Sequence, residues 1–494
     1  MANCSIKIFL FVTFLVGTHL VRSQPNTLYF MKGIPQTKDL NPARAGLSAG
    51  FYFSMPLFSK LDLAANTNNW AYNDLIHWGK DNSANSTLGY TGWNQSDSLV
   101  IDLDKFMGSL ANKNFVYESA ALTVLEGGYR KGKNFYAASI TEREFTEIFF
   151  SKSLVELIKF GDYPPGKTYY SGNFGVGAQH YREFAFNYSH DVSKKLTIGG
   201  AAKILFGMAV VQTNGMNLKA TSPVNGKYLD VTATGRVNIS APVNFTYNTF
   251  GEITSVDSPT NYSIKNYLTN LSNPGIAFDL GFAYHLNKNT ELSASIIDLG
   301  MIGWTSNTTR FTEQGHFMYR GVSLNNSAST PLGIGDFNNA ITLLNDSISK
   351  AFRPAHSESS FATLIPAKIY FGIERQLNDI VYVSGVTRIR IFNNRIHTSL
   401  TASANTLIGN VLSLSASYSI MESTFDNLGL GAGIKAGPVQ LYAATDNLFS
   451  PFYPSSARNM NLRIGINFIF SGEKKESKGK KRRGVLNTNC HCPY

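Results

Sequence analysis

The sequence predicts a transmembrane β-barrel, and three observations carry that prediction. The 494-residue chain is only 16% charged, with 43% hydrophobic residues, 13% aromatic residues and 42 glycines, whereas soluble domains average about 25% charged residues. After its first residues no apolar run approaches the roughly 20 residues that a spanning helix needs. Apolar residues recur instead on alternate positions of many short stretches, the pattern of strands that face lipid on one side. Length alone would suggest two or three domains, yet no Pro/Ser-rich linker or shift of composition divides the chain, so one large unit is expected.

Residues 1–23 read as a cleaved signal peptide: a short polar start with Lys7, an apolar run at 8–16, and small or polar residues around Val21, Arg22 and Ser23. The run is too short for a membrane anchor. Cys4 precedes it and so cannot carry a lipid. In the next segment, 24–50, Asn41-Pro42 favours a turn, and Pro35 and Pro42 bar their predecessors from helix. Gly46 and Gly50 are expected to let this backbone pass close to a wall.

Strands follow over 51–471. In "REFAFNYSH", Phe184, Phe186 and Tyr188 share one parity; the polar turn at Ser193-Lys194-Lys195 leads to Leu196, Ile198, Ile204 and Phe206 on one face. In "GIAFDLGFAYHL", Ile276, Phe278, Leu280, Phe282, Tyr284 and Leu286 alternate with Ala277, Asp279, Gly281, Ala283 and His285. Hairpin material recurs up to "NLRIGINFIF", where Leu462, Ile464, Ile466, Phe468 and Phe470 share a face. A water-soluble sandwich would carry Lys, Glu and Thr on its second parity; here that parity is rich in Gly, Ala and Ser, which suits a crowded lumen. Long connections are expected at 51–115, 214–272 and 301–365. Short helices are expected at 102–110 and 145–158, and an amphipathic one over Phe337, Ile341, Leu344, Ile348 and Phe352, with Asp336 as its cap.

"LNPARAG" resembles the Asn-Pro-Ala segment near the start of FadL-type outer-membrane channels. "YFMKGIPQTKDLNPA", "GIAFDLGFAYHL", "LSASIIDLGMIGW", "TLIPAKIYFGIE", "LYAATDNLF" and "NLRIGINF" together resemble a family of uncharacterised Bacteroidota outer-membrane barrels, similar in architecture to FadL and to the secretion-system barrel PorV. The final alternating strand ending in Phe470 also resembles the signal read by barrel-assembly machinery. These resemblances imply about 14 antiparallel strands, residues 24–50 folded inside as a hatch, and an integral outer-membrane location. Tyr29, Phe30, Pro35, Asn41, Pro42 and Trp304 lie in the resembling motifs and are the candidate hatch or mouth contacts.

Glu183, Lys203, Asp279, Lys368, Glu374, Arg388 and Arg390 are candidate lumen charges, because a charge facing lipid costs about 2–4 kcal/mol at the midplane. They would form either a polar pathway or mutual pairs that stabilise the interior. His180, His190, His285 and His397 read as lumen or turn residues. No nucleophile elbow, His-Glu-x-x-His, phosphate loop or dinucleotide fingerprint is present, so neither enzymatic activity nor a cofactor is expected.

The stretch 472–494 reads as a basic periplasmic tail. Between 473 and 483 it carries seven basic side chains against Glu473 and Glu476, so +5 of the formal +11 lies there. Lys480, Lys481, Arg482 and Arg483 suit anionic lipid headgroups or an acidic periplasmic or outer-membrane protein; export excludes nucleic acid. Cys490 and Cys492 match no structural zinc spacing, leaving metal binding, redox pairing and a tail without chemistry as alternatives. The expected partners are therefore outer-membrane lipid, a hydrophobic small molecule passing a FadL-like channel, or a protein docked through the tail as on a PorV-like barrel.

Overall fold

The computed structural model describes residues 26–47, 49–56, 59–79, 98–160, 164–172, 174–225, 228–248, 253–257, 263–319, 355–393, 395–422 and 424–470. Fourteen antiparallel strands close into a barrel. They are β1 (Gly50–Ser54 and, after a break, Lys60–Thr67), β2 (Lys113–Lys131), β3 (Asn134–Ser151), β4 (Gly175–Asp191), β5 (Leu196–Thr221), β6 (Pro274–Asn287) and β7 (Thr290–Trp304). The circuit continues through β8 (Ala367–Gln376), β9 (Val381–Phe392), β10 (Arg395–Ile408), β11 (Leu412–Met421), β12 (Thr424–Ala436), β13 (Val439–Thr445) and β14 (Asn459–Phe470). Each strand pairs with the next, and β14 returns to β1 through Phe51–Phe470 and Leu61–Ile464. The wall therefore has no open edge, as a sheet in hydrocarbon requires. No helix among the described residues is long and apolar enough to cross a membrane.

The alternation sorts the side chains as the sequence suggests. Along β6, Ile276, Phe278, Leu280, Phe282, Tyr284 and Leu286 are exposed on the outer face, while Ala277, Asp279 and Ala283 are buried inside. One end of the wall has short turns, three of which use glycines in the left-handed region, Gly132 (φ 58°), Gly409 (φ 57°) and Gly437 (φ 60°). Outward aromatics gather at this end. Phe51 and Phe470 stack with centroids 4.8 Å apart, and Tyr136 and Tyr188 lie 5.2 Å apart, an arrangement that suits a membrane interface.

Several sequence expectations are corrected. The stretch 51–115 is not all connection, because β1 occupies its start and supplies the closing strand. Within 214–272 and 301–365, β5 continues to Thr221 and pairs with Leu229–Ser240, which pairs in turn with Thr308–Tyr319, raising a sheet above the wall. The helix at 102–110 forms as Leu103–Ser109, with the Asp102 carboxylate accepting the Lys105 N–H at 2.8 Å. The helix expected at 145–158 forms only as Lys152–Phe160. Phe145 and Phe149 are four apart, a spacing that fits one helix face but equally one strand parity, and their strand pairing to β2 wins. Residues 1–23, the helix expected around 336–352, and the tail at 472–494 with Lys480, Lys481, Arg482, Arg483, Cys490 and Cys492 lie outside the described residues.

Candidate functional site

Inside the barrel, residues 26–47 form a compact segment buried against the inner faces of strands all round the wall. It begins at Asp446, just past β13, whose carboxylate accepts the Asn26 and Thr27 N–H groups at 2.8 and 2.9 Å. The Asn26 side-chain amide donates to Ser399 and Thr401 on β10. Pro35 opens a short 3-10 helix, Pro35–Asp39, where its fixed φ suits the first turn and its missing N–H leaves no donor unmet. Gln36 and Asn467 on β14 exchange amide hydrogen bonds of 2.8 and 2.9 Å. The chain then turns at Asn41-Pro42 and reaches the wall at Gly50.

Tyr29, Phe30, Asn41 and Pro42 come together against β5 to β8. Tyr29 stacks on Tyr370 at 5.4 Å, and its hydroxyl accepts the Asn41 amide at 3.0 Å. Asn41 also donates to the Phe282 and Ala294 carbonyls. The wall makes room with glycines. A Cβ on Gly199 would meet the Pro42 carbonyl at 2.5 Å; one on Gly281 would meet the Asn41 amide oxygen at 2.2 Å; one on Gly372 would meet the Phe30 ring at 2.8 Å. The close approach expected of Gly46 is made instead to the segment's own Ile34 carbonyl, 2.1 Å from where a Cβ would stand. Trp304 lies apart from this group: it is fully buried in a different cluster, with its indole N–H donating to Thr363 at 2.8 Å.

Charged side chains form three connected groups in the lumen. The first ties the segment to the wall: Lys38 bridges Asp39 (2.6 Å) and Glu126 (3.1 Å), Lys60 binds Asp39 (2.5 Å), and Arg463 forms a two-pronged pair with Asp62 while lying 3.8 Å from Asp39. In the second, Lys203 sits between Asp279 (2.7 Å) and Asp298 (2.5 Å), Lys368 binds Asp298 (2.7 Å), and Arg143 binds Glu183 (2.8 Å). In the third, Glu374 receives Lys32 at 2.9 Å, and Arg44 binds Glu291. All seven charges picked from sequence face inward and fall into these groups or line the chamber described below; pairing accounts for Glu183, Lys203, Asp279, Lys368 and Glu374.

Asp298, Arg143, Asp62, Arg463 and the Lys38-Asp39 pair were not singled out by sequence reasoning. A signal for Asp298 was present: the doubled Ile296-Ile297 breaks the alternation of "ELSASIIDLG". The structure answers with a bulge, in which Ile297 and Asp298 together oppose Asp279. Asp298 takes φ 60°, a region that Asp tolerates better than most residues, and its N–H donates to Asp279 at 2.7 Å.

Lys38 and Asp39 belong to the segment and not to a wall strand. Burial opposes their charges, but the neighbouring opposite charges outweigh it. Asp39 is held well below its ordinary 3.8 by Lys38, Lys60 and Arg463, and Lys38 is raised by Asp39 and Glu126. A depressed acid stabilises above its unfolded pKa and loses that contribution as pH falls through the folded value; a raised lysine stabilises below its own unfolded pKa and loses it only at higher pH. Docking of 26–47 is therefore expected to be unchanged between about pH 5 and pH 10 and to weaken below about pH 4. Hydrogen exchange of peptides from this segment, corrected for intrinsic rate, checks it; faster exchange already at pH 5.5 would refute it.

Between the first two charged groups lies a small chamber of about 40 Å³, lined by Tyr117, Arg143, Tyr181, Lys368, Arg388 and Arg390 among others. Toward the long connections the lumen is aromatic: Phe115, Tyr117, Phe145, Phe149, Tyr181, Trp304 and Phe392 form one buried cluster with Leu205, Val210, Ile302 and Ile365.

No curated protein matches the sequence. Among solved structures, similar chains are the toluene transporter TbuX of Ralstonia pickettii (11% identity, 91% of this chain and 99% of that chain, TM-score 0.32), the toluene transporter TodX of P. putida (11%, 89% and 95%, TM-score 0.39) and a FadL homologue of Pseudomonas aeruginosa (9%, 91% and 99%, TM-score 0.37). A family model matches residues 42–446, which takes in the wall from β1 to the end of β13, and on that match the chain belongs to DUF5723, a family of unknown function.

Proposed function

We propose that this protein is an integral outer-membrane barrel that takes up a hydrophobic small molecule in its lumen, with residues 26–47 serving as the hatch. The observation that carries this reading is the aromatic cluster around Phe145, Tyr181, Trp304 and Phe392. Barrel walls usually turn polar residues inward and apolar ones to lipid. Here apolar side chains fill the lumen instead, and an apolar lining with a few polar groups beneath it suits a small apolar ligand. The exposed outer belt and the aromatics at the short-turn end support placement in a bilayer. Movement of the segment would open the path beneath the cluster, since its contacts are side-chain bonds and ion pairs with no strand pairing to the wall.

Binding of 1-dodecanol to the barrel in lipid nanodiscs, with empty nanodiscs subtracted, tests the proposal. Phe145 packs edge-on against Tyr181 (6.2 Å) and Phe392 (4.8 Å). Phe145→Ala is expected to weaken dodecanol binding about tenfold, the equivalent of about 1.4 kcal/mol and within the worth of one buried aromatic contact. No saturable binding by the parent protein, or equal binding by the variant, would sink this reading. The alternative of a docking barrel rests on the tail at 472–494, and nothing described favours it.

A further inference from the structure

On its outer face the wall is not evenly covered. Outward side chains of β4 to β8 stand in rows set by the strand register, and two of these rows have a gap. In one, Gly200 of β5 lies between Tyr188 of β4 and Leu280 of β6; in the other, Ala294 of β7 lies between Phe282 of β6 and Phe371 of β8. The gaps join in a groove of about 660 Å³, floored by Gly200 and Ala294 between these larger side chains. That volume falls within the roughly 300–1,000 Å³ of sites that hold a small molecule. Tyr188, on its lining, pairs with Tyr136 in the aromatic group at the short-turn end, so the groove begins near headgroup level and rises into hydrocarbon.

The rim below the groove is basic. Lys194 and Lys195 occupy the turn between β4 and β5, Lys288 the turn between β6 and β7, and Arg375 follows Phe371 and Ile373 on the outward parity of β8; all four are exposed. Backbone bonds set these positions side by side: the His285 N–H donates to the Lys195 carbonyl at 2.7 Å, and the Gln376 N–H to the Asn289 carbonyl at 2.8 Å. Among the described residues no carboxylate pairs with any of the four cations. Asp191 binds Arg130 at 3.0 Å, while Glu291 and Glu374 face the lumen on Arg44 and Lys32. Asp379, in the turn between β8 and β9, sets one exposed negative charge against four positive ones.

An apolar groove with a cationic foot matches an amphiphile that carries a chain above and a phosphate below. The geometry points to a site for an anionic phospholipid of the leaflet at the short-turn end, with one acyl chain over Gly200 and Ala294 and its phosphodiester on Lys194, Lys195, Lys288 and Arg375. The site rests on the bilayer placement proposed above and is independent of what enters the lumen.

The full-length barrel in nanodiscs of equal parts palmitoyl-oleoyl phosphatidylglycerol and palmitoyl-oleoyl phosphatidylcholine tests it, with the lipids that stay bound counted by native mass spectrometry. The parent is expected to retain phosphatidylglycerol about tenfold over phosphatidylcholine. Ala294→Phe fills the floor and is expected to lose that lipid. Ala432→Phe, the same change at a half-buried position of β12 away from the groove, is expected to keep it. Lys288→Gln combined with Arg375→Gln alters only exposed side chains and is expected to bring the two lipids to near parity, whereas Arg375→Lys is expected to preserve the preference. Circular dichroism checks the barrel in every variant. Retained lipid in the proportions of the disc, retention unchanged in Ala294→Phe, or a preference that survives the double charge variant overturns the site. A dimer that Ala294→Phe dissociates overturns it too, because the groove would then belong to a second copy. A chain that stays out of the discs would overturn the bilayer placement and this site together, while absence of dodecanol binding bears on the lumen alone.

Discussion

Arg463→Leu is expected to lower the unfolding free energy of the barrel by about 3–5 kcal/mol, because it strips the cation from a buried pair and leaves the acids behind. Arg463 is fully buried on β14, bound through two nitrogens to Asp62 of β1, with Asp39 of the inner segment 3.8 Å away. One side chain thus joins the first strand, the last strand and the segment. Lys60 remains to serve Asp39, and lies 3.9 Å from Asp62, so Asp62 loses its main counter-charge. Replacing both members, Arg463→Leu with Asp62→Leu, is expected to recover most of the loss, since removing a whole buried pair is often nearly neutral. Urea titration of folded barrel in micelles, followed by circular dichroism, measures both. A single variant within 1 kcal/mol of the parent would mean that water or another cation already serves Asp62.

That residue also shows where sequence reading succeeds and where it stops. In "NLRIGINFIF" the apolar parity is plain, and the structure places Ile464 and Phe470 outward with Arg463 and Asn467 inward. A period of two needs only neighbouring residues to be seen. The partners Asp62 and Gln36, however, lie about 400 positions earlier, and nothing local marks them. The same holds for the wall glycines. Gly199, Gly281 and Gly372 read as ordinary small residues of the inner parity, yet each is opposed by a residue of the 26–47 segment. Pairing to a non-local partner also decided Phe145 and Phe149, whose spacing alone fits helix and strand equally. Trp304 was chosen because it lies in a resembling motif, and motif membership carries no height along the lumen; its packing puts it in the aromatic layer. Arg388 and Arg390 were legible as inward charges, but whether such a charge is paired is a property of four neighbouring strands together.

Gly199→Val is expected to drive residues 26–47 off the wall while leaving the barrel closed. The new side chain would begin 2.5 Å from the Pro42 carbonyl and 2.7 Å from the Ala43 nitrogen, contacts that real Cβ atoms do not make. The wall cannot yield, because Gly199 is held on both sides by strand pairing, to Ser189 on β4 and to Gly281 on β6. The segment must move, and with Pro42 displaced the Asn41 bonds to Phe282 and Ala294 cannot form. Overpacking of this kind costs about 1–3 kcal/mol, which converts to an about 5- to 150-fold larger open population of the segment. Trypsin reads it directly, since Lys38 is 1% exposed when docked. Gly200→Val is the internal control: it lies on the same strand with its Cβ direction outward, 3.2 Å from the Asp279 carbonyl and 3.6 Å from Leu280, so cleavage at Lys38 is expected to stay slow. A barrel that stays folded by circular dichroism while Lys38 becomes cleavable in Gly199→Val alone means that the segment and the wall are separate units, the physical condition for a hatch. Loss of the barrel together with the segment would mean that 26–47 is part of the core, and a path opened by its movement would then require unfolding the wall.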